Sequence, residues 1–206
     1  MKQVRRLKRM ALWATCFLIA FFAFFYLVYR PWQQNWGATE AEVTRVMLGD
    51  ELVTAPTFNA TRAVTVHAPA ARIWPWIVQM GYLRAGFYSW DILDNRGIPS
   101  AERILPQYQN LEVGDVVPLS ADAGAEVVAL EPNSQLLLVF VSGDTATWAW
   151  GLYGIDAERT RLVSRLRWRT PNVIAQFMLD AGEIIMMRKC LLGIKRRAEA
   201  SMEGTQ

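Results

Sequence analysis

A run of twenty residues without a charge, residues 10–29, constrains this chain more than any other feature of its sequence. A helix over this run is apolar on every face, and such a helix is either buried in a large protein or lies in lipid. At about 1.5 Å per residue, roughly 20 residues cover the ~30 Å hydrocarbon core of a bilayer. Tyr26, Tyr29 and Trp32 stand at one end, where amphipathic rings favour the headgroup level. We therefore predict a transmembrane anchor.

A cleaved signal peptide is the alternative to an anchor. Signal peptides have apolar cores of about 7–15 residues and end in a small-residue cleavage site. The run here is longer, and residues 29–32, Tyr-Arg-Pro-Trp, offer no such site. The sequence favours the anchor.

Charge predicts the direction in which the anchor crosses the membrane. Five basic residues and no acidic one precede the run, whereas only Arg30 follows it closely. Positively charged flanks stay in the cytoplasm, so we expect a cytoplasmic N-terminus and a domain outside the cytoplasm. The remaining 16 Lys and Arg face 19 Asp and Glu, which leaves the rest of the chain with a formal charge of −3. This argues against a nucleic-acid-binding domain, which would carry a basic face of its own.

Few residues of this chain suit a metal, a disulfide or a nucleotide. Cys16 lies in the apolar run and Cys190 near the other end, so we expect no disulfide framework. His67 is the sole histidine, which leaves no Cys/His zinc cluster. Neither a glycine-rich phosphate loop nor a nucleophile elbow occurs. We expect neither a metal nor a cofactor.

Composition and turn residues divide the chain into an anchor, a connector, one domain and a tail. Thr39 and Glu42, in the connector, have the spacing of a capping box, so we expect a short helix there. The predicted boundaries are residues 1–30 for the basic leader and anchor, 31–59 for the connector, 60–200 for the domain and 201–206 for a polar tail.

Within the domain the hydrophobic period changes from strand-like to helical, back to strand-like and again to helical. The predicted elements are a strand at 60–67, helices at 69–81 and 88–95, strands at 113–119, 126–131, 135–141, 147–155 and 161–169, and a long helix at 171–200. Short turns between the later strands indicate antiparallel neighbours. We predict an α+β fold in which a curved antiparallel sheet wraps around the long helix, with a cavity between them.

Four short segments add a resemblance to this element order: WGAT at 36–39, WPWIVQMG at 74–81, GFYSWD at 86–91 and RKCLLGIK at 188–195. They resemble the SRPBCC superfamily of START-like and birch-allergen-like proteins, in its bacterial polyketide cyclase/dehydrase-like branch. The resemblance covers about residues 36–200 and implies the helix-grip fold. It also implies that the first thirty residues are the optional membrane anchor of that branch. It leaves the function open, since the superfamily hosts binders, transporters and enzymes on one scaffold.

Candidate ligand contacts come from aromatic and flexible side chains, because ligand pockets are mostly apolar with a few placed polar groups. Trp148 and Trp150 share one face of a strand, in which side chains alternate. Phe177 and Met178 belong to an apolar stripe on the last helix, which we expect to face the same void. The alternative for each aromatic residue is that it only fills the core. The expected ligand contacts are Trp74, Arg84, Tyr88, Trp148, Trp150, Phe177 and Met178.

Asp91 and Asp94 are the candidates for catalysis. They lie three residues apart on one helix face. Such a pair transfers a proton if one carboxyl group is buried and its pKa is shifted, whereas solvated carboxylates or helix caps are the alternative. The sequence favours a membrane-anchored protein that binds a small hydrophobic molecule, lipid-like or polyketide-like. A cyclase or dehydratase acting on a hydrophobic substrate and a non-catalytic envelope scaffold are the alternatives.

Overall fold

The computed structural model of the protein describes residues 2–141, 143 and 145–203. Its α-helices are α1 Lys2–Phe24, α2 Arg30–Gln34, α3 Glu40–Thr44, α4 Ala70–Val78, α5 Asp91–Asp94 and α6 Val173–Glu203. Its strands are β1 Phe58–Val66, β2 Val116–Pro118, β3 Gly124–Glu131, β4 Gln135–Phe140, β5 Thr145–Gly154 and β6 Thr160–Arg169. A π-helical turn, Phe25–Tyr29, joins α1 to α2. Of the predicted polar tail, residues 204–206 lie outside the described residues.

The six strands form one antiparallel sheet in the order β1-β6-β5-β4-β3-β2. Strands β2 to β6 follow one another as a meander, and β1 closes the far edge by pairing with β6, with Phe58 opposite Trp168. The turn from β3 to β4 places Asn133 in the left-handed region, at a φ of 62°, which Asn adopts more readily than most residues. With α6 across the sheet, this architecture confirms the predicted α+β, helix-grip-like fold.

Helix α6 lies over one face of the sheet and closes the hydrophobic core. Its buried apolar residues recur at intervals of three and four, as one helix face requires. From Met187 onward they pack together with α4 and with the inward residues of the strands. The buried apolar residues of α6 are Ile184, Met187, Leu191, Ile194 and Ala198.

The prediction that an apolar stripe on α6 faces the core is wrong for the first half of this helix. Phe177 and Met178 are 50% and 63% exposed. The inward face of this stretch carries Asp180, which is buried, and Glu183, and both form ion pairs with arginines from elsewhere in the chain. Helical periodicity therefore predicted the wrong side of α6 as its inner face. The true inner face carries acidic residues, and their charges are neutralised by arginines that are remote in sequence.

The connector packs on the second face of the sheet. Its short helix α3 begins with a complete capping box, in which Thr39 and Glu42 each accept a hydrogen bond from the backbone N–H of the other. A small apolar cluster joins the connector to the strands: Met47, Ala63, Leu137, Ala149 and Val163. Both faces of the sheet are therefore covered.

The N-terminal helix, Gln3–Gln34, is long and apolar enough to cross a membrane. It continues beyond residue 30, where we predicted that the anchor ends, through the π-helical turn. In that turn the Arg30 N–H donates to the Phe25 carbonyl, five residues back. The apolar stretch of this helix is almost wholly exposed, unlike the core helix of a soluble protein.

Candidate functional site

A cavity of about 190 Å³ lies between the sheet and the middle of α6. Its walls are mostly apolar and include three aromatic rings and two methionines, and polar side chains reach it at a few points only. Ligand pockets in proteins have this composition. The lining residues are Phe87, Ser89, Asp94, Leu119, Phe140, Trp148, Leu166, Glu183, Met186, Met187 and Cys190.

Helix α6 supplies one wall through Met186, Met187 and Cys190. The two methionines are unbranched and polarizable, so they adapt to a bound molecule better than branched side chains do. Burial raises the pKa of the Cys190 thiol. Cys190 therefore stays protonated and acts as an apolar wall residue, since a reactive cysteine needs its thiolate.

The sheet supplies the opposite wall through Trp148 on β5. Its ring centroid is 6.3 Å from that of Phe87 and 5.0 Å from that of Trp150. Its indole N–H donates to the Ser164 hydroxyl at 2.8 Å. Trp150 is buried behind Trp148, and its indole N–H has no hydrogen-bond partner among the residues described. Of the predicted pair, the structure thus brings Trp148 to the cavity and leaves Trp150 in the core.

Asp94, at the end of α5, brings a carboxyl group to this apolar space. Both of its oxygens are buried and lack a hydrogen-bond partner within the described part of the chain. Burial, reinforced by the charge of Asp91, raises the pKa of Asp94 to about 6. The nearby Ser89 hydroxyl opposes this rise, but its hydrogen is already donated to the Met186 carbonyl at 2.9 Å. Asp94 is thus poised to change protonation state near neutral pH.

Glu183 is a second carboxylate on the cavity wall. It forms an ion pair with Arg62, a buried residue of β1. Arg62 also donates to Gln33, through Nε to its carbonyl at 2.7 Å and through Nη2 to its side-chain oxygen at 2.6 Å. Burial raises the pKa of Glu183, and the Arg62 guanidinium opposes the rise. The cavity therefore holds one unpaired and one paired carboxyl group.

Tyr88 fixes the loop that carries two cavity residues. Its backbone φ is 58°, which is uncommon for a residue other than glycine. Its hydroxyl donates to the Trp76 carbonyl and accepts from the Gln79 amide, both at 2.9 Å. With the ring of Tyr88 held in the core, the neighbouring side chains of Phe87 and Ser89 border the cavity. The prediction that Tyr88 itself lines the cavity is therefore corrected, and its part is to position the loop.

Four other predicted contacts lie away from the cavity. Trp74 is half-buried and packs against the core cluster. The Arg84 guanidinium folds back on α4, where it donates to the Val78 carbonyl at 3.1 Å. Phe177 and Met178 lie on the outer side of α6, at least five residues before Glu183, the first residue of this helix that lines the cavity.

The two candidate catalytic residues are separated by the fold. Asp91 lies outside the cavity and accepts a hydrogen bond from the Ser100 hydroxyl, whereas Asp94 reaches the cavity. Glu183 was not among the site residues predicted from the sequence. Two signals pointed to it: its spacing of four from the buried Met187, and a lone arginine, Arg62, in an apolar strand.

Solved structures superimpose on part of this chain at low sequence identity, with TM-scores below 0.5. A protein of Nitrosospira multiformis superimposes with a TM-score of 0.49 and 12% identity over 70% of this chain and 99% of that chain. A polyketide-cyclase-like protein of Corynebacterium glutamicum superimposes with a TM-score of 0.40 and 16% identity, over 73% of this chain and 96% of that chain. For a protein of Micromonospora echinospora the TM-score is 0.40 and the identity 15%, over 69% of this chain and 84% of that chain.

Likenesses of this degree say nothing about a ligand or a reaction of this chain. No protein-family model and no curated protein matches the sequence.

Proposed function

We propose that the protein is a membrane-anchored helix-grip protein that holds a small hydrophobic ligand between its sheet and α6. The apolar cavity is the observation that supports this most. A cavity of about 150 Å³ is large enough to take up benzene. The cavity here, about 190 Å³, therefore fits a single ring or a short acyl segment of a lipid-like or polyketide-like molecule. A scaffold with a filled core would have no such space.

The N-terminal helix is the anchor in this proposal. Its exposed apolar surface is unusual for a soluble protein, which rarely exposes a contiguous apolar patch above a few hundred Å². The basic residues before it favour a cytoplasmic N-terminus and a domain outside the cytoplasm. We expect a C-terminal alkaline phosphatase fusion to be active and a green fluorescent fusion to be dark. The reverse pattern would place the domain in the cytoplasm.

Native mass spectrometry tests ligand binding on the full chain, purified from membranes in detergent micelles. We expect the protein to retain a small hydrophobic molecule, seen as a discrete mass increment. Met186→Phe adds bulk to the cavity wall and should abolish this increment. Leu192→Phe makes the same kind of change on the outer side of α6 and should leave it intact. Equal adducts in all three proteins would mean that the bound molecules are lipids on the anchor, and the proposal would fail.

A cyclase or dehydratase is the second candidate function, and Asp94 and Glu183 are the observation that favours it. A carboxyl group with a raised pKa gives up or takes a proton near neutral pH, and a second carboxylate on the same cavity suits general acid–base catalysis. We would compare the small molecules extracted from the wild-type protein and from Asp94→Asn. An enzyme leaves different compounds in the two, because the variant accumulates substrate. A binding protein retains the same compound in both.

A further inference from the structure

The first two turns of α6 present an apolar surface that is at least half exposed at each of its four large side chains. Val173, Ile174, Phe177 and Met178 are 75%, 73%, 50% and 63% exposed. Residues 170–179 carry no charge. We call residues 173–179 the α6 tip. Large side chains exposed together in this way mark a surface that contacts another apolar phase.

The N-terminal helix sets the level of the α6 tip. The Phe25 ring stacks on the Phe177 ring, with 5.8 Å between centroids, and the Tyr29 hydroxyl donates to the Ala181 carbonyl at 2.7 Å. The residues of each pair are 152 apart in the sequence. The two helices are therefore parallel, and each residue of α6 is level with the residue 152 positions earlier in the N-terminal helix. The start of the tip is therefore level with about Phe21, inside the charge-free run of the anchor.

Polar contacts mark the level at which this apolar surface ends. Asp180 is buried where it accepts hydrogen bonds from Arg30 at 2.8 Å and from Gln34 at 3.3 Å. From the start of α6 to Asp180 the helix rises roughly 10 Å, at about 1.5 Å per residue. Helices that lie in a membrane interface reach a similar depth, about 5–10 Å into the boundary between headgroups and acyl chains.

We propose that the α6 tip inserts into the bilayer beside the anchor, so that the domain is seated on the membrane in a fixed orientation. This inference rests on the proposed anchor. Its partner is the lipid bilayer, because the surface of the tip is level with the anchor and continuous with it through the Phe25–Phe177 stack. Cation or headgroup recognition plays no part, since the tip offers no charge.

The seating also orients the cavity. Phe140, on the cavity wall, lies against Trp168 with 5.3 Å between ring centroids. Trp168 is near the end of β6, just before the chain enters the α6 tip. The Phe140 side of the cavity therefore lies toward the membrane, which gives a hydrophobic molecule dissolved in the bilayer a short path to the cavity.

Lipid quenching tests this on the full-length protein in phosphatidylcholine–phosphatidylglycerol vesicles that contain doxyl-labelled lipid. In a Cys16→Ser background, Ile174→Cys and Met178→Cys are labelled separately with bimane. Cys190 is buried, and the raised pKa of its thiol keeps it from reacting. Val46→Cys, 84% exposed on the connector, reports a position in water. The native Cys16, labelled in the otherwise unchanged protein, reports the anchor.

We expect bimane at residues 174 and 178 to lose most of its emission to the doxyl lipid, as the Cys16 label does, while the label at residue 46 keeps its emission. If the Cys16 label is quenched but both tip labels behave like the label at residue 46, the tip lies in water and the inference is wrong, although the anchor stands. If the Cys16 label also escapes quenching, the proposed anchor fails and the inference falls with it.

Discussion

The two faces of the sheet both carry buried polar groups, but only one face provides them all with partners. On the connector side, the Arg165 side chain is buried, with 3% of its surface exposed. Its five N–H groups all donate: to the Thr61 hydroxyl, the Asp50 carboxylate and the carbonyls of Glu42, Val43 and Arg45. Buried polar groups in folded proteins are normally satisfied in this way. The connector is therefore fixed to the sheet by a complete network.

On the α6 side, buried polar atoms are left without partners. Both oxygens of Asp94 and the indole N–H of Trp150 lack hydrogen bonds within the described residues. An unpaired buried polar group costs about 1–3 kcal/mol of stability, so its presence calls for a reason. Under the proposed function this difference has a reason: the connector side serves stability, whereas the α6 side leaves polar groups free for the proposed ligand.

The largest expected effect is on the satisfied face. Arg165→Ala leaves Asp50 without one of its partners and three carbonyls without donors, and breaking a buried pair of this kind costs about 3–5 kcal/mol. The measurement is urea unfolding of the full chain in mild detergent, followed by tryptophan fluorescence. Arg159→Ala is the control, because its pair with Asp156 is exposed and should contribute little to stability. A small loss for Arg165→Ala, similar to the control, would remove the contrast between the faces.

A smaller effect should separate the core from the cavity wall on the same side of the sheet. Leu136 is fully buried in the core, so Leu136→Ala should cost about 2–5 kcal/mol. Met186 borders the cavity and already lacks neighbours on one side. We expect Met186→Ala to cost less than about 1.5 kcal/mol and to change the mass of the retained ligand instead. Equal losses in the same unfolding measurement would mean that the interior is solid at Met186.

Much of the fold was predictable from the sequence because local patterns carry it. The alternation of β6 and the short turns between strands predict the antiparallel meander. The spacing of Thr39 and Glu42 predicts the cap of α3, which the structure shows in full. Each of these signals lies within one element or between neighbours in the sequence.

The candidate site was less predictable, because it depends on contacts between remote residues. Glu183 is tolerated in the wall of the cavity only because Arg62, 121 residues earlier, pairs with it. Phe177 and Met178 look like core residues by their spacing, yet they lie outside, where the N-terminal helix runs past them. Periodicity shows that a helix has an apolar face but not which phase covers it, and α6 has apolar surface facing both the core and the outside.

The smallest expected effect concerns Asp94 and its dependence on pH. In the folded protein the pKa of Asp94 is about 6, whereas in an unfolded chain an aspartate has a pKa of about 3.9. Between these values the folded state binds more protons, so the contribution of Asp94 to stability decreases as the pH rises from about 4 to 6 and stays low above that. Asp94→Asn removes the titration. We therefore expect this variant to be more stable than the wild type at pH 8, by ~1 kcal/mol once partial solvent access and the unpaired amide are allowed for.

The two proteins should differ least near pH 4, where Asp94 is protonated and resembles the amide in charge. Urea unfolding at pH 4, 5, 6, 7 and 8 measures the difference between them, in which the titration of groups that do not interact with Asp94 cancels. Asp122→Asn, in an exposed turn, is the control for the replacement of an aspartate by an amide. If Asp94→Asn instead loses stability at pH 8, the Asp94 carboxylate is ionised and favourably paired in the folded protein. Asp94 would then belong with the satisfied groups of the connector side, and the polar contrast between the two faces would lose its carboxyl group.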